Sequence, residues 1–366
     1  MDDAQAVLDK TLILRRSVFS LKGEAITLSS LANLALHRGN FEEALECLQK
    51  ALGIQRQSNL HSYEGTTLHN IGFTYMCMSK EHWYKAKEYL ELALQKRHSV
   101  GNLEGQARTL DSLANYYELM EQTEQAIEYR KRSASFWEDL KSFLEEAVAF
   151  QHIGVLYKAL GKLEEARKYY KQALGVYQNL NERAGVGAML FEIGDIDNTL
   201  GHSFEALDCF EKALPIISEQ GNQKQLKAIL FAMGALYFNE NNFQQAIKIF
   251  EEALPLYSES DEEELKALIL NSIGRSYEQL GNGQKTREYL ELALPIFHNL
   301  KDHLKEAQIL NTIGAFLRGD EQPELALTYY LNFARWLPIR SKSMARHTHN
   351  SARSEMFIES EVLGCP

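Results

Sequence analysis

The chain has 366 residues, 45% of them hydrophobic and 24% charged, with a net charge of −11. That acidic balance excludes nucleic acid as the main partner, since phosphate contact needs a basic face, and it suits a basic or neutral peptide better. No apolar run approaches the roughly 18 residues of a membrane span, the start Met1-Asp2-Asp3-Ala4 lacks a signal-peptide pattern, and the four cysteines show no CxxC pair, so a reduced, cytoplasmic chain is expected.

Residues 1–21 read as half of a repeat. Leu8–Ala25 aligns without gaps on Leu290–Ala307, the second helix of a repeat and the turn after it. The chain thus opens on a second helix, either as an N-terminal cap or as a piece of a longer array.

Eight repeats of about 40 residues are expected over residues 22–336. Their pivot is a small residue in the first helix: Ala32, Gly72, Ala114, Gly154, Gly194, Gly234, Gly274 and Gly314. One spacing is longer than the rest because of two extra residues in the turn around Ser79–Trp83. A second small residue follows in the second helix (Ala44, Ala86, Ala126, Ala166, Ala206, Ala246 and Ala326, with Thr286 as the exception). A third comes later (Ala51, Ala93, Ala173, Ala213, Ala253 and Ala293, with Ser133 and Phe333 departing). Small residues at fixed helical places let neighbouring helices approach while Leu, Ile and Tyr fill the space around them.

Both turns are signalled. Gly39, Gly161, Gly201, Gly281 and Asn241 stand between the helices of a repeat. Asn59, Gly101, Asn181, Gly221 and Asp261 stand between repeats, with Lys141 and Lys301 in the remaining two. Gly and Asn accept the left-handed helix C-cap, so each repeat is helix–turn–helix with roughly 16 residues per helix. Pro215, Pro255 and Pro295 recur at one place inside the second helix, where a kink rather than a helix end is expected. After Trp336 the pattern stops, and residues 337–366 read as a divergent, poorly ordered tail.

Ile153-Gly154-x-x-Tyr157, Ala166, Tyr170 and Ala173 resemble the tetratricopeptide repeat signature, and the match recurs over roughly residues 8–335. Forty-residue repeats are similar to those of kinesin light chains and of long bacterial arrays. The resemblance implies an all-α, right-handed α-solenoid with no enzymatic activity, whose first helices line a concave surface that holds a protein or peptide. The residues expected on that surface are Asn70, Asn115, Gln151, Lys158, Asn198, Asn271, Arg275, Asn311 and Arg318, with Asp111, Asp195 and Glu278 among their polar neighbours and Phe73, Met76, Phe191, Phe231 and Phe238 as apolar ones. Each Asn offers both a donor and an acceptor to an extended peptide backbone. Lys158, Arg275 and Arg318 are the only Lys or Arg at these positions, and no repeat carries the paired set that clamps a C-terminal carboxylate. The absence of capping helices leaves self-association through the ends open.

Other chemistry is poorly supported. Cys47 and Cys209 occupy a core position that holds Tyr or Ile in other repeats. Cys77 could face the groove, and Cys365 falls in the tail. No cysteine has a base positioned beside it in the pattern. His347 and His349 lack further ligands for a metal. The run from Asp261 to Glu264 lacks the calcium-loop glycine. No nucleotide, zinc-protease or hydrolase motif occurs, and neither a cofactor nor a metal is expected. The principal function expected is that of a protein-binding scaffold or adaptor. The alternative is the sensor array of a larger signalling or CHAT-type protease protein whose effector domain lies outside this chain.

Overall fold

The computed structural model describes residues 2–257, 262–319 and 323–334. Among these the regular elements are seventeen α-helices and short 3-10 turns, with no strand. Helix α1 spans Asp2–Ser17. The pairs that follow are α2 (Leu21–His37) with α3 (Phe41–Gln57), α4 (His61–Cys77) with α5 (Trp83–Ser99), and α6 (Leu103–Leu119) with α7 (Thr123–Asp139). Next come α8 (Phe143–Ala159) with α9 (Leu163–Asn179), α10 (Arg183–Thr199) with α11 (Ser203–Gln220), and α12 (Gln223–Asn239) with α13 (Phe243–Ala253). The last are α14 (Glu263–Gln279) with α15 (Gly283–Asn299) and α16 (His303–Gly319) with α17 (Pro323–Ala334). Most helices have 17 residues, one more than the sequence pattern suggests. The fold is an all-α helical-repeat solenoid. The expected tail at 337–366, with His347, His349 and Cys365, lies outside the described residues, as do Asp261 and the side chain of Phe333.

The chain divides into two compact units, one ending at Ile216 and the other starting at Ile217. In the first, each helix from α1 to α10 packs on its neighbours in sequence, and α4 also touches α6. In the second, α12 to α17 pack in the same serial way, and α12 touches α14. In each unit one pair of consecutive first helices, α4 with α6 and α12 with α14, therefore meets directly.

The alanine pattern explains how the helices come so close. Ala44, Ala86, Ala126, Ala166, Ala206 and Ala246 have no accessible surface, nor do Ala51, Ala93 and Ala173. The space around them is filled by Leu48, Leu90, Tyr170, Phe210 and Phe250, each almost wholly buried and each contributing about 1.5–3 kcal/mol through burial. The departures from alanine are satisfied locally. Ser133 donates its hydroxyl to the Ala107 carbonyl at 3.2 Å, and Thr286 donates to the Asn282 carbonyl at 2.9 Å. At the pivot, a methyl group on Gly154 would meet the Tyr170 ring at 2.6 Å, and one on Gly234 would meet Phe250 at the same distance.

The turns adopt the left-handed conformation that the Gly and Asn residues signalled. They do so even where the residue is unsuited to it: Lys141, Lys301, Glu121 and Phe19 have φ between 54° and 58°. The backbone hydrogen bonds give the reason. Ser142 N–H donates to the Trp137 carbonyl and Lys141 N–H to the Glu138 carbonyl, each at 2.9 Å, closing a Schellman motif. The two extra residues at Ser79–Trp83 form a 3-10 turn over Lys80–His82.

The proline expectation needs one correction. Pro215 and Pro295 lie inside continuous helices, but α13 ends at Ala253 and Pro255 sits in a 3-10 turn, Leu254–Leu256. Proline both removes a donor and clashes with the preceding turn, and here the chain leaves the α-helix instead of bending it.

Candidate binding surface

In the first unit the first helices α4, α6 and α8 present His69, Asp111 and Gln151, each three residues before its pivot. Second helices hold this row from behind. Trp137 on α7 donates its indole N–H to Asp111 Oδ2 at 3.1 Å, and the Tyr177 hydroxyl on α9 donates to Gln151 Oε1 at 3.0 Å. Both pairs are 26 residues apart, so one device is repeated. Arg97 occupies the equivalent place on α5. Its guanidinium donates to the Gly105 carbonyl at 2.7 Å, to Thr109 Oγ1 at 2.5 Å and to Thr66 Oγ1 at 3.5 Å. Burial, followed by the charge of Arg108, lowers the Arg97 pKa to about 10.

Arg130 is the charged member of a column filled elsewhere by Leu90, Tyr170, Phe210 and Phe250. It is buried and donates to Asp111 Oδ1 at 3.0 Å, to Glu118 Oε1 at 3.3 Å and to Asn115. A cavity of about 450 Å³ opens beside this network, walled by His69, Arg108, Asp111, Arg130, Trp137, Leu144, Glu145 and Val148. The Arg108 guanidinium lies over the Trp137 ring, 5.6 Å from its centroid. His69 Nδ1 is enclosed without a hydrogen-bond partner. Burial, together with the charges of Arg97 and Arg108, pushes the ring pKa down to about 3.

Other expected residues of the first unit are also engaged. Lys158 donates to Glu192 at 2.8 Å and to Asp195 at 2.7 Å. Burial alone would lower its pKa, but these bonds outweigh burial and raise it. Thus Asn115, Gln151 and Lys158 have internal partners, whereas Asn70 and Asn198 have no side-chain hydrogen bond among the described residues. Phe73 is exposed, but Met76, expected beside it, is buried in the core.

In the second unit Asn271, Arg275, Asn311 and Arg318 lie on α14 and α16, and all but the half-buried Asn271 are exposed. The Arg275 guanidinium sits 5.3 Å from the centroid of Phe238 on α12. Phe231 turns inward onto Phe250, with ring centroids 6.2 Å apart. Burial, opposed by the Arg275 charge, raises the Glu278 pKa. Asn271 and Asn311 make no side-chain hydrogen bond among the described residues.

Alignment by pivot missed His69, Arg97, Arg108, Arg130, Trp137 and Tyr177. Arg97, Trp137 and Tyr177 belong to a column late in the second helix (Gln55, Arg97, Trp137, Tyr177, Ile217, Tyr257, Phe297) that varies in polarity where a purely structural position would stay apolar, and His69 shares the place three before the pivot with Asp111 and Gln151. Cations therefore reach this face from places outside the three pivot-aligned Lys and Arg residues.

Among the described residues no group of three His, Cys, Asp or Glu could hold a metal. Cys47 and Cys209 are half-buried and pack against core clusters. Burial pushes their thiols up, and that of the exposed Cys77 as well, which disfavours the thiolate. No helix among the described residues is long and apolar enough to cross a membrane.

Comparison with known proteins agrees with the repeat geometry. A tetratricopeptide repeat model matches residues 144–219, 185–259 and 265–331, half of the chain, and a second model of the same description matches residues 25–59. The chain belongs to the tetratricopeptide repeat family, whose members generally mediate protein interactions. No curated protein sequence matches it. Among solved structures, BtubC (BKLC) from P. vanneervenii is similar at a TM-score of 0.51 and 20% identity, over 59% of this chain and 90% of that one. Aspartyl phosphate phosphatase F from Bacillus subtilis is similar at 0.46 and 12% identity, over 79% and 74%. A signal transduction ATPase with numerous domains from Pyrococcus horikoshii, carrying a tetratricopeptide repeat sensor, is similar at 0.45 and 16% identity, over 85% and 46%.

Proposed function

We propose that this protein is a non-enzymatic, cytoplasmic scaffold or adaptor that binds an extended peptide segment of a partner protein along its first-helix face. Residues 22–336 supply the binding repeats, and residues 1–21 are a half repeat that backs the first of them. The observation that carries this reading is the contrast between polar groups on that face. Asn271 and Asn311 carry amide donors and acceptors with no internal partner, next to Arg275 stacked on Phe238. Unpaired amides at one repeat of spacing match the needs of a peptide backbone, and an aromatic–guanidinium pair offers a side-chain seat.

The test pairs face variants with an outer-surface control. Partners captured by the intact chain are re-measured with Asn271→Ala plus Asn311→Ala, with Arg275→Glu plus Arg318→Glu, and with Lys248→Glu on the exposed side of α13. Loss of a partner in the first two, with retention in the third, is the expected result. Equal binding by all three moves the binding surface elsewhere.

A further inference from the structure

The cavity between α4, α6 and α8 contains donors that the fold does not use. His69 Nδ1 is enclosed and unpartnered, which leaves Nε2 as the ring nitrogen open to a ligand. The charges acting on the ring are those of Arg97 and Arg108. With Nδ1 enclosed, the neutral ring meets a ligand through Nε2, and its Nε2–H tautomer is the one that donates. Arg97 lies outside the cavity wall and is bound by a carbonyl and two hydroxyls, so it contributes charge rather than a donor to the ligand. Arg108 is more than half exposed, and its ion pair with Glu104 is a surface i,i+4 contact, weak enough to be shared with a second anion.

The two carboxylates of the cavity set its polarity. Asp111 is saturated by Trp137 and Arg130, so it draws no cation to itself. Glu145 stands on α8, whereas His69 stands on α4. His69 on α4 and Arg108 on α6 thus offer the open donors, and Glu145 on α8 is the group an anion avoids.

We propose that the α4–α6–α8 cavity is a subsite for the acidic side chain of a bound peptide, with His69 Nε2–H and the Arg108 guanidinium donating to its carboxylate. This rests on the first-helix face being a peptide-binding surface. The apolar wall of Leu144 and Val148 takes the aliphatic part of the side chain, and Glu145 selects a neutral or basic residue next to it.

Two measurements test this on the full chain. The first follows the histidine ring resonances, with the His69 signal assigned from its loss in His69→Gln, while acetate and then inorganic phosphate are added. A saturable movement of the His69 signal, absent in Arg108→Gln, is expected. The second compares octapeptide pools carrying a fixed central Asp, Asn or phosphoserine. The Asp pool should bind about tenfold more tightly than the Asn pool, as charge-assisted hydrogen bonds imply, and the difference should vanish in Arg108→Gln. A phosphoserine pool that outbinds Asp assigns the subsite to a phosphoryl group and overturns the carboxylate. Equal binding of Asp and Asn pools overturns the subsite and leaves the peptide surface standing. Anion-dependent movement of His69 without binding of any pool overturns the peptide surface and keeps the anion site. Failure of both measurements removes both. Arg108 is solvent-facing, so unfolding of the variant does not confuse the result, and its melting temperature provides the check.

Discussion

Arg97 donates its guanidinium to the main-chain carbonyl of Gly105 at 2.7 Å, and a methyl group on Gly105 would lie 2.8 Å from Arg97 Cδ. On its other side Arg97 Cγ would be 2.7 Å from a methyl on Gly65. The arginine thus lies between two glycines, and its stem needs the space that both leave. Gly105→Ala and Gly65→Ala should each destabilise the first unit by about 1–3 kcal/mol, the usual result of overfilling a packed site. Denaturant unfolding checks this; unchanged midpoints would mean that the arginine has a second rotamer of equal energy.

Gly154 and Tyr170 should behave as a coupled pair. The ring lies where a methyl on Gly154 would stand, so Gly154→Ala alone should cost about 1–3 kcal/mol. In the same register Ala32 is matched with Leu48, a smaller partner. Gly154→Ala combined with Tyr170→Leu should therefore cost less than the sum of the single changes, by about 1 kcal/mol in a double-mutant cycle. Gly53 and Gly175, mid-helix with nothing within 4 Å of an added methyl, supply the opposite sign: alanine there should stabilise by about 0.5–1 kcal/mol.

The lysines at the repeat turns are strained. Lys141 and Lys301 hold φ of 55° and 58°, a conformation that costs a side chain about 1 kcal/mol. Lys301→Gly and Lys141→Gly should each raise stability by about 0.5–1 kcal/mol, while Gly161→Ala, at φ 71°, should lower it by a similar amount. Thermal unfolding of the three variants decides; a drop in melting temperature for either lysine change would refute the strain.

His69 predicts an acid-sensitive stability. Its ring has a pKa of about 3 when folded, against 6.5 when free. Above the free value both states are neutral and stability is complete. As the pH falls below 6.5 the unfolded chain takes up a proton that the folded chain refuses, so stability is lost progressively towards the folded value. At pH 5 this amounts to about 2 kcal/mol. Stability of His69→Gln should fall less steeply than that of the intact chain between pH 6.5 and 5. Parallel curves would show that the ring titrates normally.

The repeat frame was legible because it is made of residues with little freedom. Gly154, Ala166 and Ala173 are dictated by helix separation, and Asn181 or Gly201 by backbone sign, so each reads as a period. The candidate binding face was less legible because residues sharing a pivot-aligned position have different fates. Gln151 is bound by Tyr177 while Asn271 is free, and what distinguishes them lies 26 residues away on another helix. Met76 misled for a related reason: pivot alignment assigned it to the groove, whereas packing draws it into the core. Pro255 shares the repeat position of Pro215 and Pro295, yet in its repeat the α-helix gives way to a 3-10 turn.

The hydrogen bonds from Trp137 to Asp111 and from Tyr177 to Gln151 constrain how the specificity of this protein can drift. Replacing either acceptor alone strands a buried donor, at a cost of about 1–3 kcal/mol, so these face positions can change only together with the residue behind them. Where that backing residue is Phe297, which has no polar group to satisfy, Asn271 in front is free to vary alone. Substitution at Asp111 and Gln151 should therefore proceed in steps of two residues, and at Asn271 in single ones.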